Sequence, residues 1–332
     1  MKSELLLLLR CPRTGQALVL EPGAASSAAG EIDGGWLVTA DGAHRYPIRD
    51  GIPRFVPASN YADNFGMQWN KFRLTQLDSH SGQSISADRF WKATGWRPAE
   101  LRGKWVLDVG CGAGRFAEVV LEAGARLVAL DYSSAADACF ANLRRFPQLH
   151  VVQGDVYALP FPPESFDFVY SLGVLQHTPD VHRSFAALPP MVAPGGQLCV
   201  DYYWRRIRTM LHLKYALRPI TKRMPQQKLF ALLEANVPWL LRVSQSVRRV
   251  PLIGRGLQRL VPIVDYTGIY PLNAQQLKEW ALLDTFDMFA PAHDNPQTPH
   301  RVRAWFDSVG FSDIDVFHEG HLVARGRKPI TR

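Results

Sequence analysis

The stretch Trp105-Val106-Leu107-Asp108-Val109-Gly110-Cys111-Gly112-Ala113-Gly114-Arg115-Phe116 decides how the rest of the chain is read. It opens as a short apolar run, the pattern of a strand buried on both faces of a parallel sheet. Glycines at 110, 112 and 114 make a turn, and Phe116-Ala117-Glu118-Val119-Val120-Leu121-Glu122 then reads as a helix. Glycine lets the backbone pass close to a bulky ligand, and the start of a helix offers unbonded N–H groups. Spacing separates the ligand classes. A dinucleotide fingerprint sets its third glycine three residues beyond the second, where this chain has Arg115.

Moving outward, the α/β pattern is regular. Arg126-Leu127-Val128-Ala129-Leu130-Asp131 is a second buried strand ending in an acid. A carboxylate there suits the two hydroxyls of a ribose, or the N-cap of the next helix, for which Ser133 and Ser134 also serve. Residues 150–156 are a third strand closed by Gly154-Asp155, and residues 165–171 a fourth, followed by Leu172-Gly173-Val174-Leu175-Gln176-His177. Pro194-Gly195-Gly196 turns into a fifth strand. Residues 301–311 read as a helix stopped by Gly310, and 313–317 with 321–325 as a final pair of strands.

Five features stand in a fixed order: Asp-x-Gly-x-Gly-x-Gly at 108–114, Leu130-Asp131, Gly154-Asp155, Phe166-Asp167-Phe168-Val169, and Pro194-Gly195-Gly196. Together they resemble the class I S-adenosylmethionine-dependent methyltransferases, over roughly 100–203 and again over 299–328. The resemblance implies a doubly wound α/β sheet of seven strands whose last two are antiparallel. It implies S-adenosyl-L-methionine as cofactor, with Asp108, Gly110, Cys111, Gly112 and Gly114 around its amino-acid part. It further implies Asp131 at the ribose, Asp155 and Val156 at the adenine, and Tyr132 and Ser171 in the same site. The run Ser171-Leu172-Gly173-Val174-Leu175-Gln176-His177-Thr178-Pro179-Asp180 is most similar to small-molecule enzymes of the quinone and sterol C-methylating kind.

Residues 1–57 form a separate small β module, with a Cys11-Pro12 turn, a strand at 34–39 and the closing run Tyr46-Pro47-Ile48-Arg49-Asp50-Gly51-Ile52-Pro53. That run resembles the end of the Trm112-like zinc-ribbon family. Thr14 stands where the family's second cysteine belongs, and Ala43, His44 and Arg45 replace its second pair. One cysteine and one histidine cannot make a four-ligand zinc site, so a metal-free module is expected. Residues 58–100 are aromatic and helical, with Tyr61, Phe65, Trp69 and Phe72 on one face. Such a stripe either packs on the sheet or, as the resemblance implies, covers the cofactor with Trp69 or Tyr61.

With 332 residues, 47% of them hydrophobic and 20% charged, the chain can bury a full core. Its 4 cysteines are scattered without a Cys-x-x-Cys pair, which fits a reducing cytoplasm better than a disulfide framework. The apolar run 5–9 is too short for a signal-peptide core or a membrane span. The net charge of +8 is localised: residues 204–262 hold thirteen Lys or Arg and one acid, Glu234, leaving the remainder net negative.

That basic segment belongs to a long insertion, 204–298, between the fifth strand and the C-terminal completion of the sheet at 299–332. Helices are expected over 204–217, 226–241, 257–264 and 273–283, broken or bent by Pro219, Pro238, Pro251 and Pro262. A cap in this place lies above the strand C-termini, where acceptor identity is encoded. The organisation read from sequence is therefore a module at 1–57, a cofactor-binding core with lid helices at 58–203, the cap, and the closing segment. The cap's mixture of Arg, Lys and apolar residues is either a solvated face or suits an anionic membrane surface or a phosphorylated or lipid-linked substrate. Peripheral membrane attachment of a cytoplasmic protein would follow from the second reading.

Methyl transfer from a sulfonium is an in-line displacement that needs alignment and a dry pocket, with a base for hydroxyl or carbon acids. His177 is the candidate base or a supporting residue; Asp201, Tyr202, Tyr203, His293 and Asp294 are further candidates. No metal is expected. The expected activity is methyl transfer to a small-molecule or lipid- or sugar-type acceptor. An RNA methyltransferase using the basic cap, or a cofactor-binding protein without turnover, are the alternatives; nucleic acid lacks a recognisable binding module here.

Overall fold

The computed structural model describes residues 1–26, 30–57, 60, 62–206 and 213–330. Tyr61, and residues 207–212 of the basic segment, lie outside the described residues. The N-terminal part begins with helix α1 (Ser3–Leu8) and forms a small antiparallel sheet of β1 (Leu18–Leu20), β2 (Ala25–Ser26), β3 (Ile32–Thr39), β4 (Arg45–Arg49) and β5 (Ile52–Pro53). Alternation along β4 turns Tyr46 and Ile48 inward and Arg45 and Arg49 outward. Leu5, Leu9, Leu37 and Ile48 join one apolar cluster with Leu107, Val109 and Val152 of the main sheet.

Helices α2 (Asp63–Lys71) and α3 (Ile85–Thr94) lead into that sheet. It comprises β6 (Trp105–Val109), β7 (Arg126–Asp131), β8 (Leu149–Gln153), β9 (Phe166–Ser171), β10 (Val192–Tyr202), β11 (Ser312–Glu319) and β12 (His321–Arg327). The order is β11-β12-β10-β9-β6-β7-β8; β12 is antiparallel to both its neighbours, and β6 to β10 are parallel. The seven-stranded sheet expected from sequence is the one found. From β6 the chain winds to β7 and β8 on one side, then returns to β9 and β10 on the other. The crevice between β6 and β9 at their C-terminal ends is thus a topological switch point, where such sheets bind ligands. Helices α4 (Arg115–Glu122) and α5 (Ala135–Leu143) follow β6 and β7. The exposed edge at β8 is closed by the N-terminal module: Phe55 N–H donates to Gln153 O at 2.8 Å, beside an Arg54–Gln153 bridge.

The cap differs from expectation in its boundaries. Trp204 is extended and pairs with Gln297, residues 207–212 of the expected 204–217 helix lie outside the described residues, and Leu213–Thr221 is helical as α6. Helix α7 (Gln226–Arg248) continues across Pro238 without a break. Leu233, Val237, Leu240 and Leu241 bury there against Leu282, Leu283 and Phe286, and that packing outweighs one missing backbone bond. Residues 257–264 do not form a helix; a short turn at Gly254–Leu257 and a 3₁₀ turn at Gln258–Leu260 precede extended chain. Helix α8 (Ala274–Phe289) begins at a capping box, in which Asn273 Oδ1 accepts from Gln276 N and Gln276 Oε1 accepts from Asn273 N. It runs past the expected stop because Phe286 and Phe289 continue its apolar face. Helix α9 (Pro299–Ser308) then precedes the β11–β12 pair.

Candidate active site

The glycine turn is built for close approach. Gly110 N and Cys111 N both donate to Leu130 O, at 2.7 and 3.0 Å, tying the turn to β7. Gly110 has φ +87°, and a Cβ there would lie 2.4 Å from Val174 Cγ1. A Cβ on Gly112 would lie 3.2 Å from the Trp69 ring. Val174 and Trp69 therefore both pack close over the turn. The stripe, expected either to pack on the sheet or to cover the cofactor, divides between the cavity and the cap. Phe65 and Trp69 line the cavity over the turn, while Phe72 packs against Phe230 of the cap.

The expected cofactor residues divide into two groups. Gly110, Cys111, Gly112, Asp131, Tyr132, Asp155 and Val156 line one cavity at the switch point. Asp108, Gly114 and Ser171 stand behind its wall. Ser171 Oγ donates to Val109 O at 2.8 Å, bracing β9 against β6. Gly114 faces α5, where a Cβ would meet Leu143 at 2.6 Å, so its role is to let α4 pack closely. Asp108 is buried beside Tyr170, whose hydroxyl approaches without a well-formed hydrogen bond. Burial pushes the Asp108 carboxyl up to about 8, so it is predominantly protonated at neutral pH.

Asp131 is at the cavity but partly committed. Its Oδ2 accepts from Gly112 N at 2.9 Å, and its Oδ1 from Ser133 N and Oγ at 2.8 and 2.7 Å. A carboxylate has about four acceptor positions, so about one remains, on Oδ2. Asp131 thus holds the Gly112 and Ser133 turns, while the N-cap of α5 is Ser134, and its remaining acceptor position faces the cavity with room for one ligand hydroxyl. Burial raises its pKa, against the downward pull of those hydrogen bonds. Asp155 accepts from Tyr157 N at 2.9 Å and caps the following 3₁₀ turn, which sets Val156 on the cavity wall.

Beyond the turn the cavity widens under the cap; its whole volume, turn included, is about 960 Å³, at the upper end of ligand pockets and roomy enough for two small molecules. His177 lines it, buried, with its ring between Phe65 and Tyr203, each 5.4 Å away. His177 Nδ1 lies 3.0 Å from His293 O. A carbonyl can only accept, so Nδ1 carries the proton, and Nε2 of the neutral ring presents a lone pair. That Nε2 is buried and has no hydrogen-bond partner among the described residues.

The other base candidates are otherwise employed. Asp201 pairs with Arg89 at 2.8 Å and accepts from Gly173 N. Tyr202 points to the opposite face of the sheet, against Trp305. Tyr203 is on the wall, its hydroxyl donating to Asp287 at 3.1 Å. Asp294 pairs with Lys214 at 3.0 Å, and His293 contributes its carbonyl.

Sequence reasoning missed the far wall. Tyr266 and Tyr270 stack at 4.6 Å, Trp280 meets Tyr270 at 5.2 Å, and the Tyr266 hydroxyl donates to Asp284 at 2.5 Å. Burial lifts the Asp284 carboxyl to about 6. Arg115 completes this wall, bonded to Ser86 Oγ and Gln76 Oε1; burial, with Arg89 nearby, lowers its pKa to about 10. Nothing local in the sequence marks the cap residues, because the cap's folding alone brings them to the sheet.

Comparison with known proteins agrees with this geometry. The family model described as a methyltransferase domain matches residues 107–200. The ubiquinone biosynthesis O-methyltransferase of Aromatoleum aromaticum is 33% identical over 135 residues, 39% of this chain and 57% of that protein. The sterol 24-C-methyltransferase of Yarrowia lipolytica is 31% identical over 141 residues, 37% of each chain. The chain thus spans about half the length, or less, of the curated relatives it matches. Among solved structures, a SAM-dependent methyltransferase from Aquifex aeolicus aligns with a TM-score of 0.41 at 10% identity, covering 82% of this chain and all (100%) of that one. The glycine turn at the switch point, the acids after β7 and β8 and the matched segment together identify the sheet around residues 107–200 as a class I S-adenosylmethionine-dependent methyltransferase domain.

Proposed function

We propose that this chain transfers the methyl group of S-adenosylmethionine to a small-molecule acceptor held beneath the cap. The observation that carries the reading is a single cavity that runs from the glycine turn and Asp131 to the free Nε2 of His177 and the aromatic wall of the cap. The cofactor fits the residues present: close backbone at Gly110 and Gly112, one open acceptor position on Asp131, and an aromatic roof at Trp69. In this reading Gly110, Cys111 and Gly112 pass the amino-acid part, Asp131 and Tyr132 hold the ribose, and Asp155 and Val156 hold the adenine. Asp108, Gly114 and Ser171 support them from behind.

The cofactor supplies an electrophilic methyl on a sulfonium. The protein's own share is to exclude water, with Phe65, Trp69 and the cap, and to align the acceptor. His177 accepts the acceptor's proton at Nε2, while the His293 carbonyl keeps Nδ1 protonated and the ring oriented. A quinol-, phenol- or enol-like acceptor suits a wall of Tyr266, Tyr270 and Trp280. The segments 1–57, 58–203, 204–298 and 299–332 serve as module, core with lid, cap and closure. The first is read as a metal-free Trm112-like module held by apolar docking, with Cys11 Sγ 3.2 Å from the Tyr46 hydroxyl.

The test is transfer of labelled methyl from S-adenosylmethionine into a set of catechol, quinol and sterol-type acceptors, read by extraction and mass. Label in a small molecule that disappears with Asp131→Ala supports the reading. Cofactor binding with no transfer to any acceptor of these classes opposes it.

A further inference from the structure

The outer face of the cap does not behave like an ordinary solvated surface. On helix α7, Lys228, Leu232, Ala235, Trp239, Arg242, Ser246 and Arg249, at its end, recur at helical spacing along one side, and all are exposed. Leu232 is 50% exposed and Trp239 60%. The stripe runs into the turn that follows, where Ile253 is 59% exposed, Leu260 58%, and Leu252 has no cover at all. Leu252 also holds φ +64°, a left-handed conformation that favours glycine or asparagine. Such a leucine gains nothing from burial to offset its disfavoured backbone, which marks a place where another surface is met.

Charge indicates what that surface is. Arg242, Arg249 and Arg259 are exposed along the same stretch, as is Lys228. The one acid between 213 and 264 is Glu234, which turns off the stripe and pairs with Lys71 of α2 at 3.5 Å. Basic side chains among exposed Leu, Ile and Trp match the interface of an anionic bilayer, with tryptophan at headgroup depth and the aliphatic tip below it. No helix among the described residues is long and apolar enough to cross a membrane, so contact would be at the surface.

The same end of α7 holds one border of the cavity. Gln245 Nε2 donates to Thr267 Oγ1 at 3.0 Å and Arg248 Nη1 to Thr267 O at 2.6 Å, fixing the loop that carries Ile269 and Tyr270. Ile269 lines the cavity and is 62% exposed. We propose that the 228–260 face docks the protein on an anionic lipid surface and brings this border of the cavity to the lipid. The acceptor would then be an amphiphile taken from the membrane, a step that rests on the proposed methyl transfer; the docking does not.

Co-sedimentation with vesicles tests it, using phosphatidylcholine alone and with phosphatidylglycerol, at low and high salt. Full-length protein is expected to partition onto the anionic vesicles and to be released by salt. Leu252→Asn with Ile253→Asn removes the tip while easing the backbone at 252, and should weaken partitioning by about tenfold or more. Arg242→Ala with Arg249→Ala should weaken it by about fivefold per charge. Titration of S-adenosylhomocysteine without lipid should be the same for all of these proteins; if it fails, the methyl-transfer reading falls and the docking result still stands. Absence of anionic-vesicle binding overturns the proposal. So does binding unchanged by both double variants. If the Leu252→Asn/Ile253→Asn pair instead abolishes a concentration-dependent dimer, or the arginine pair abolishes an RNA complex, with no lipid binding in either case, the face belongs to a second copy or to RNA and the proposal is also overturned.

Discussion

Asp108 offers a quantitative test of the buried layer beneath the glycine turn. Its carboxyl rises from an ordinary value of 3.8 to about 8 because the strand buries it. A raised folded value means that the stability associated with this group is fully present below about 3.8 and is lost as pH rises through about 8. Between pH 5 and pH 8 the unfolded chain has released this proton while the folded chain largely retains it. At ~1.4 kcal/mol per pH unit, three units amount to ~4 kcal/mol. An unfolding entropy of about 2.1 cal/mol/K per residue gives ~0.7 kcal/mol/K for a chain of this length, so the effect corresponds to ~6 °C in Tm. Asp108→Asn keeps the shape and removes the titration, and an amide hydrogen left without a partner costs about 1–3 kcal/mol at every pH. The difference in Tm between variant and wild type, followed by circular dichroism, should therefore be ~6 °C more favourable to the variant at pH 8 than at pH 5. A difference that stays constant between the two pH values would refute the buried, protonated Asp108.

Other substitutions probe the cavity itself. Gly110→Ala places a methyl 2.4 Å from Val174 at φ +87°, and should abolish binding of S-adenosylhomocysteine while lowering stability by ~2 kcal/mol, read by calorimetry and thermal melting. Trp69→Ala removes the roof over Gly112 and should weaken that binding by about tenfold or more with little change in Tm, since Trp69 is only partly buried. His177→Gln should leave the binding within about twofold and cut single-turnover methyl transfer by about 10²-fold or more, once an acceptor is in hand. Equal loss in both quantities would make His177 a packing residue.

How much of this was legible in the sequence follows from how local each signal is. The glycine turn and the acids after β7 and β8 are contiguous signals, and with the family resemblance they gave the seven-stranded sheet with its antiparallel last pair that the structure shows. Asp108 and Asp131 did not read fully, because their neighbours lie on other strands and turns: the buried Tyr170 beside one, the hydrogen-bonded Gly112 and Ser133 at the other. Proline placement misled at Pro238, where the long apolar face of α7 overrides a local break. Tyr266, Tyr270, Trp280 and Asp284 reach the cavity only because the insertion folds back over the sheet, and no periodicity within 265–284 announces that. The exposed apolar stripe was visible only as composition; which residues stay outside is decided by what α7 packs against.

The most direct measurement is isothermal titration of the protein with S-adenosylhomocysteine, alongside Asp131→Ala. The account predicts micromolar one-to-one binding to wild type and, for a folded Asp131→Ala with unchanged circular dichroism, at least about a hundredfold loss, since the variant removes both the open Oδ2 acceptor and the anchor of Gly112 N. Equal affinity for the two proteins, or no binding to wild type, would contradict the cofactor site described for residues 108–156.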